Sequence, residues 1–356
     1  MKTYKHLYAR VCDFENLYWA YRAARRGKRS AAAVAAFEYA EEENLHQLQD
    51  ELRAKTYTPG AYRHFFIHEP KRRKISAAPF RDRVAHNALC RVIEPIFERY
   101  FIHDSYACRV DKGTHRALDR CQEFAQCYPY ALQGDVVKFF PSIDHAILRG
   151  LLARHIRDDD ALWLIDQILR SGAGVHGEEY VPQWFPGDDL FAANRPRGLP
   201  IGNLTSQFWA NVYLDELDQF VKRELHCRAY VRYVDDFMLF ADDKVQLHAW
   251  RAAILAFLEK LRLRLHERAF RVFPVTTGIP FLGFRVFPTH RRLKRAKAVS
   301  FGRHLKHLLR MYAAREIELD RVNAATQCWI NHVRYGDTYG LRCALLRHHP
   351  IPVRAI

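Results

Sequence analysis

The sequence predicts a fold of the α+β class, because helical patterns and antiparallel strand pairs both recur along it. Residues 31–55 carry apolar side chains at near-helical spacing, with the acidic residues on other faces. Residues 230–241, YVRYVDDFMLFA, are typical of two apolar strands joined by a tight turn. Residues 199–226 predict a longer helix entered through Gly202 and Asn203. We therefore expect helices that pack on an antiparallel sheet.

The remaining segments also alternate between predicted strands and predicted helices. Residues 62–80 predict a hairpin tipped by the basic run KRRK at 71–74, a run that is also typical of a merely solvated turn. Further predictions are a helix at 82–99, a strand followed by a helix at 130–156, a long loop at 171–199, a helix at 244–263, strands at 269–275 and 279–287 around the turn TTGIP, and a basic helical region beyond residue 288.

Length and charge indicate the kind of partner. The 356 residues exceed a usual single domain, so two or three subdomains are expected. The 56 Lys and Arg against 40 Asp and Glu give a net charge of +16. Such a surface attracts polyanions, and nucleic acid is the first candidate because each neutralised phosphate releases counterions. A merely basic cytosolic protein is the alternative.

Cysteine spacing and hydropathy bear on location. The 8 cysteines include no Cys-x-x-Cys pair, so neither zinc-site spacing nor a disulfide framework is indicated. The N-terminal segment lacks the continuous apolar core of a signal peptide, and no stretch approaches the about 18 apolar residues of a membrane span. We expect a soluble cytoplasmic protein with no membrane partner.

Two adjacent carboxylates, Asp235 and Asp236, stand inside the apolar run at 230–241. A lone Asp-Asp pair is most often an exposed turn. Here Asp135 also follows a predicted strand, and if the two strands are neighbours the three carboxylates converge. Their mutual repulsion favours binding of hard divalent cations, which take oxygen ligands. Asp144 is a weaker candidate, because SIDH is typical of the first turn of a helix.

Four motifs in order resemble those of reverse transcriptases. YVDD at 233–236 resembles their catalytic motif, and DVVKFFPSID at 135–144 is similar to the motif of their first catalytic aspartate. LPIGNLTSQ at 199–207 resembles the motif between these, and IPFLGFRVF at 279–287 resembles the primer-gripping hairpin. With KRRKISAAPFRDRVAHNAL at 71–89 as a fingers element, the resemblance covers about residues 60–290.

The resemblance implies a right-hand polymerase fold with fingers, a palm of antiparallel sheet backed by helices, and a helical thumb. The expected domains are an N-terminal helical region with the fingers at 1–130, a palm at 131–288 and a thumb at 289–356. A fingers-like insertion is expected within the palm, near 145–200.

It also implies a site for two ions of Mg²⁺ or Mn²⁺. Asp135, Asp235 and Asp236 become the catalytic and metal-binding triad, with the carbonyl of Val136 as a backbone ligand. Two metals suit nucleotidyl transfer, because one activates the attacking hydroxyl while the other stabilises the leaving pyrophosphate. The expected activity is RNA-directed DNA polymerisation.

Substrate contacts are carried over in the same way. Arg73 and Lys71 are expected to neutralise the triphosphate, and Phe140 to act as a steric gate against the ribose 2′-hydroxyl. Expected nucleotide contacts also include Ile201, Gly202 and Gln207, and expected primer and template contacts are Tyr233, Phe281, Leu282, Gly283, Arg291, Arg292 and Lys294.

The middle motif departs from the common QGxxxSP pattern, with Ile201 for Gln and Gln207 for Pro. This variant resembles the reverse transcriptases of diversity-generating retroelements, which copy a template RNA with errors at adenine. That resemblance implies as partners the template RNA, the RNA/DNA duplex, dNTPs and a small basic accessory variability protein. Three alternatives stay open: a defence-associated enzyme, a group II-like bacterial reverse transcriptase, and a non-catalytic RNA-binding scaffold.

Overall fold

The computed structural model describes residues 2–68 and 72–352. An N-terminal bundle of helices precedes a two-stranded hairpin, and two more helices lead into the central sheet. The bounds are α1 Tyr8–Val11, α2 Phe14–Ala24, α3 Ala32–Tyr39, α4 Glu41–Arg53, β1 Arg63–Ile67, β2 Arg73–Ala77, α5 Phe80–Phe97 and α6 Thr114–Cys127.

The predicted helix at 31–55 is wrong in one respect, because the structure divides it into α3 and α4. Ala40 lies between them with φ −128° and ψ 53°, outside the helical region. The apolar positions that predicted the helix are nonetheless buried: Val34, Phe37, Leu45, Leu48 and Leu52. Two short helices therefore cover the same core surface that one long helix was expected to cover.

A central sheet of four antiparallel strands has the order of elements expected for a palm. Its strand order is β4-β5-β3-β6, so the strand that carries Asp135 lies beside the strand that carries Asp236. Helices pack on both faces of this sheet, with α6 on one face and the helices that follow β3 and β5 on the other. The bounds are β3 Tyr130–Asp135, α7 Phe139–Ser142, α8 His145–His155, α9 Asp159–Gly172, α10 Leu204–Gln219, β4 Tyr230–Tyr233, β5 Asp236–Ala241, α11 Lys244–Lys260 and β6 Arg271–Pro274.

The predicted loop at 171–199 is mostly irregular, as expected, with a short 3-10 helix at Leu190–Asn194. The predicted helix at 199–226 begins at Leu204 and continues after Gln219 as a π-helical turn, Phe220–Glu224. Side chains around the whole circumference of α10 are buried, including Phe208, Trp209 and Val212. This helix therefore runs through the core rather than over its surface.

The two predicted strands around TTGIP do not form one hairpin. β6 joins the central sheet by pairing with β3, while residues 279–286 form a hairpin of their own. A third strand, β9, extends that hairpin, so the region expected to be helical beyond residue 288 begins with a strand. The remaining bounds are β7 Ile279–Phe281, β8 Phe284–Val286, β9 Arg291–Leu293, α12 Arg295–Ala313, α13 Leu319–Val333 and α14 Tyr339–Arg347.

One large core joins the N-terminal helices to the helices behind the central sheet. The C-terminal helices have a small core of their own, in which Phe301 and Trp329 stack with ring centroids 4.2 Å apart. The limits of the three predicted domains stay predictions. No helix among the described residues has both the length and the apolar character to cross a membrane.

Candidate active site

The register of the central sheet places the first two candidate carboxylates side by side. Asp135 is paired directly with Asp236 across β3 and β5. Residues paired in this way point to the same face of a sheet, and their Cβ atoms lie about 4.5–5.5 Å apart. Asp235 lies in the turn that precedes Asp236, and its backbone carbonyl accepts a hydrogen bond from the Val136 amide at 3.3 Å. The structure therefore brings Asp135, Val136, Asp235 and Asp236 together, as predicted.

A glycine beside Asp135 allows this register. Gly134 is paired with Phe237, and a Cβ atom at Gly134 would lie 2.2 Å from the Phe237 ring. Phe237 is fully buried, so its ring has no room to move away. The sequence QGD in β3 thus lets an aromatic core residue lie directly behind the carboxylates.

The pKa of Asp236 reflects its burial and its carboxylate neighbours. Burial, together with the charges of Asp135 and Asp235, raises the pKa of Asp236 to about 8, against partial lowering by Gln133 and Lys294. A divalent cation would relieve this repulsion, and carboxylate oxygens are the ligands that Mg²⁺ and Mn²⁺ prefer. Within residues 2–68 and 72–352, however, no group of three or more His, Cys, Asp or Glu side chains is close enough to hold a metal ion. The negative charge of the site therefore favours binding of such a metal, although the three carboxylates do not form a complete set of metal ligands in this structure.

The strands β4 and β5 and the turn between them form what we call the aspartate hairpin, and its turn is strained. Val234 has φ +56°, a conformation that is unfavourable for a β-branched residue. The guanidinium of Arg232 donates a hydrogen bond to the Val234 carbonyl at 2.9 Å. The same guanidinium binds both carboxylate oxygens of Asp218, at 2.7 and 2.6 Å. A buried ion pair thus fixes the backbone that presents Asp235.

Burial alone would lower the pKa of Arg232, but the charge and hydrogen bonds of Asp218, together with the charges of Tyr230 and Asp215, outweigh it and the net shift is upward. The side chains of both residues are completely inaccessible. The Tyr230 hydroxyl also donates to Asp218, at 2.8 Å. This network was not predicted from the sequence, although an arginine within the apolar run YVRYV indicates that it needs a buried partner.

A buried asparagine joins the predicted fingers hairpin to the palm. The Asn203 side chain accepts a hydrogen bond from the Ala78 amide at 3.1 Å and donates one to the Ser76 carbonyl at 2.9 Å. The Ser76 amide donates in turn to the Ile201 carbonyl at 2.8 Å. Asn203 was predicted only as the entry to a helix. It is also the anchor of β2, the strand that carries Arg73.

The predicted nucleotide contacts lie around this junction. Gly202 has φ +115°, and a Cβ atom there would lie 2.8 Å from a methyl group of Ile75, so glycine is required for the close approach. Arg73 and Gln207 are exposed, and Phe140 and Ile201 are partly exposed. Lys74, which was not predicted as a site residue, donates to the Val175 carbonyl at 3.1 Å. Lys71 lies outside the described residues.

The hairpin β7–β8 has the tight turn expected of the primer-gripping element. Phe281 pairs with Phe284 around Leu282 and Gly283, which have φ +45° and +90°. We call this element the Leu-Gly hairpin. Phe281 is fully buried, so it supports the hairpin from beneath and offers no ring surface to a ligand. The Tyr233 hydroxyl accepts a hydrogen bond from Thr114 at 3.1 Å.

The basic residues predicted to track a duplex differ in their surroundings. Arg291 binds Asp119 at 2.7 Å and its side chain is only 11% exposed. β9 thus turns this side chain toward α6, and its predicted contact with nucleic acid stays a prediction. Arg292 and Lys294 are exposed. Asp144 caps α8 by accepting from the Ala146 and Ile147 amides, as its place in SIDH predicted.

Comparison with known proteins identifies the family. The sequence model described as reverse transcriptase (RNA-dependent DNA polymerase) matches residues 68–286. The chain belongs to the reverse transcriptase family. The predicted right-hand polymerase fold and the predicted class of enzyme, an RNA-directed DNA polymerase, are thereby confirmed.

Several curated proteins are similar to this reverse transcriptase. Protein YkfC of Escherichia coli strain K12 is 26% identical over an alignment of 296 residues that covers 72% of this chain and 74% of YkfC. Group II intron-encoded protein LtrA of Lactococcus lactis subsp. cremoris is 28% identical over 183 residues, 51% of this chain. That alignment spans 28% of LtrA, so the similarity to LtrA concerns a part of that protein. The resemblance to diversity-generating retroelements stays a prediction.

Proposed function

We propose that the chain copies a retroelement template RNA into complementary DNA by two-metal nucleotidyl transfer at Asp135, Asp235 and Asp236. The observation that carries the proposal is the direct pairing of Asp135 with Asp236, with Asp235 in the adjoining turn. A scaffold protein has no need to hold two carboxylates side by side on one face of a sheet and a third in the adjoining turn. The geometry therefore favours a catalytic protein over a non-catalytic RNA-binding scaffold.

Asp135, Asp235, Asp236 and the Val136 carbonyl would hold the metals. When bound, Mg²⁺ or Mn²⁺ supplies a lowered pKa for the primer 3′-hydroxyl and stabilises the charge that develops on the phosphates. The chain supplies the orientation, since β3 and β5 fix two of the carboxylates by backbone pairing. Rigid elements of this kind hold a site more accurately than loops do.

The fingers hairpin would bind the triphosphate of the incoming nucleotide. Asn203 and Ile201 fix β2 against the palm, so Arg73 extends from a strand whose position is set by buried hydrogen bonds. A guanidinium matches phosphate geometry well. Phe140, at the beginning of α7, would exclude nucleotides with a 2′-hydroxyl. Phe140→Ala is expected to increase ribonucleotide incorporation relative to deoxynucleotide incorporation.

The primary test is primer extension with an RNA template, dNTPs and Mg²⁺ or Mn²⁺. Asp235→Asn is expected to lower the rate of dNTP incorporation more than about 100-fold. Loss of a residue that only hydrogen-bonds to a metal ligand typically costs about 10–100-fold. Asp242→Asn is the matched control, because Asp242 is an exposed carboxylate just beyond β5. Equal rates for Asp235→Asn and the wild type would show that the proposed mechanism is wrong.

We further propose that copying is error-prone at adenine, as the resemblance of LPIGNLTSQ to diversity-generating retroelements implies. The backbone carbonyl of Ile201 holds the fingers strand, while its side chain is apolar and partly exposed. An apolar side chain makes no polar contact that would help to orient the nucleotide. Ile201→Gln is expected to lower the error frequency at template adenines, as measured by sequencing the product DNA. Equal error spectra would contradict this part of the proposal.

The similarity to LtrA, a group II intron-encoded protein, favours a second candidate function. In that case the template would be an intron RNA, and errors would not concentrate at adenine. Sequencing the DNA made from RNA that copurifies with the chain distinguishes the two candidates. The small basic accessory protein is expected only for a diversity-generating retroelement, and its copurification would support that candidate.

A further inference from the structure

A glutamine in the catalytic strand contacts one of the metal-binding carboxylates. Gln133 lies in β3 two residues before Asp135, so both side chains point to the same face of the sheet. The Nε2 atom of Gln133 lies 3.4 Å from Oδ1 of Asp236 and 3.1 Å from the carbonyl oxygen of Pro280. Both partners are acceptors, so the amide NH₂ group serves both as donor.

The register explains how one side chain reaches two elements. Gln133 is paired with Met238 in β5, which makes Asp236 its diagonal neighbour on the same face. Pro280 lies in β7, one residue before Phe281 and the Leu282–Gly283 turn. The Gln133 amide therefore joins the catalytic strand, the aspartate hairpin and the Leu-Gly hairpin at one point.

We infer that Gln133 is a positioning residue that fixes the Asp236 carboxylate relative to the Leu-Gly hairpin. This inference rests on the proposed function, in which Asp236 binds metal and the Leu-Gly hairpin holds the primer end. A hydrogen bond to Oδ1 restricts rotation of the Asp236 carboxylate. The bond to Pro280 sets the distance between that carboxylate and the hairpin. Metal position and primer position are thereby coupled through one amide.

The residue type fits this role better than its nearest relatives. Glutamate has a similar length but donates no hydrogen bond when ionised, and it would add a negative charge beside Asp135 and Asp236. Leucine has a similar volume but would leave both acceptors without this donor. Asparagine is shorter by one methylene group and would not span the same two acceptors.

The inference is tested with Gln133→Leu, and Gln122→Leu serves as the matched control. Gln122 is also partly buried, and its side chain donates a hydrogen bond to the Pro288 carbonyl. Gln126 donates to the same carbonyl, so Gln122→Leu leaves that carbonyl with a donor. Two quantities are measured for each variant. One is Mn²⁺ binding to the protein without nucleotide, followed by electron paramagnetic resonance, and the other is kcat and KM for dNTP in primer extension.

Gln133→Leu is expected to weaken Mn²⁺ binding by about 10–100-fold and to lower kcat, with the KM for dNTP unchanged, while Gln122→Leu leaves all three unchanged. Wild-type Mn²⁺ affinity and kcat in Gln133→Leu would overturn the inference. Gln133→Glu keeps the side-chain length without the donors, and it is expected to lower kcat as well. Wild-type kcat in this second variant would also overturn the inference, including where Gln133→Leu fails to fold.

The metal-binding measurement separates this inference from the proposed function. If the wild-type protein binds Mn²⁺ but incorporates no dNTP, the proposed function fails. A tenfold or larger loss of Mn²⁺ affinity in Gln133→Leu would still support the link between Gln133 and Asp236. If the wild type polymerises and Gln133→Leu matches it in both measurements, the inference alone fails.

Discussion

The aspartate hairpin and the Leu-Gly hairpin both contain a turn with positive φ, but different residues adopt it. Each joins two antiparallel strands through a two-residue turn, Val234–Asp235 in one and Leu282–Gly283 in the other. The Leu-Gly turn has a glycine at φ +90°, which costs little. The aspartate turn has Val234 at φ +56°, where a β-branched side chain is unfavourable by roughly 1–2 kcal/mol.

The difference lies in what stabilises each turn. Both residues of the Leu-Gly turn have positive φ, which such hairpin turns require, and Gly283 adopts it without a steric cost although Leu282 does not. The aspartate turn depends on Arg232 and Asp218, which are distant in sequence from one another and buried together. A strained conformation persists at a functional site only where the surroundings over-determine it. The aspartate turn therefore depends on a tertiary contact, while the Leu-Gly turn depends more on its own glycine.

The strongest way to break the aspartate hairpin is Asp218→Asn. This change leaves the Arg232 guanidinium buried without its counter-charge, which is expected to lower the free energy of unfolding by about 3–5 kcal/mol. Chemical denaturation measures the loss. A loss below about 1 kcal/mol would show that the turn does not depend on this ion pair.

Asp215→Asn is the control on the same helix, and it has a pH signature. Burial, followed by the charge of Asp218, raises the pKa of Asp215 to about 7. Between its unfolded value near 3.8 and pH 7, the folded state holds a proton that the unfolded state releases, so this group makes stability fall as pH rises through that window. Asp215→Asn is expected to stabilise the protein at pH 8 and to have little effect at pH 4.

Gly134→Ala attacks the aspartate hairpin from the neighbouring strand. The added methyl group would lie 2.2 Å from the buried Phe237 ring, and overpacking of this kind costs about 1–3 kcal/mol. A loss of activity larger than the loss of stability is expected, because the displaced residue is next to Asp236. Thermal unfolding and primer extension on the same samples measure the two effects, and wild-type values in both would rule out a tight register here.

Gly283→Ala tests the Leu-Gly hairpin in the same way. The nearest atom to an added Cβ is Cε of Lys297 at 3.8 Å, so the space is open and only the positive φ opposes the change. The expected loss of stability is about 1 kcal/mol. A loss as large as that of Gly134→Ala would remove the contrast between a locally encoded turn and a tertiary one.

Val234→Gly is expected to have the smallest effect on stability. Release of the strain at φ +56° offsets the larger conformational entropy that glycine loses on folding, so the net change is expected within about 1 kcal/mol. Activity is expected to fall, since a freer turn positions Asp235 less well. Unchanged kcat together with raised stability would show that the strain at Val234 has no catalytic role.

Several features of the site could be predicted from the sequence because they are short-range patterns. The adjacent Asp235 and Asp236 in an apolar hairpin, Asp135 after a strand, and the glycine of the Leu-Gly turn each depend on a few neighbouring residues. The apolar periodicity of 31–55 likewise predicted the buried positions, although not the break at Ala40. Helix ends depend on details that periodicity does not contain.

The tertiary structure alone decided which distant residues meet. Nothing local connects Asp218 with Arg232, Asn203 with Ser76 and Ala78, or Gln133 with Asp236 and Pro280. It also decided that β6 pairs with β3 and that Arg291 forms an ion pair with Asp119. The physical reason is that hydrogen bonds and ion pairs between distant segments depend on the register and packing of the whole sheet. The sequence by itself determined the carboxylates and the order of the elements, and the packing determined how those carboxylates are held.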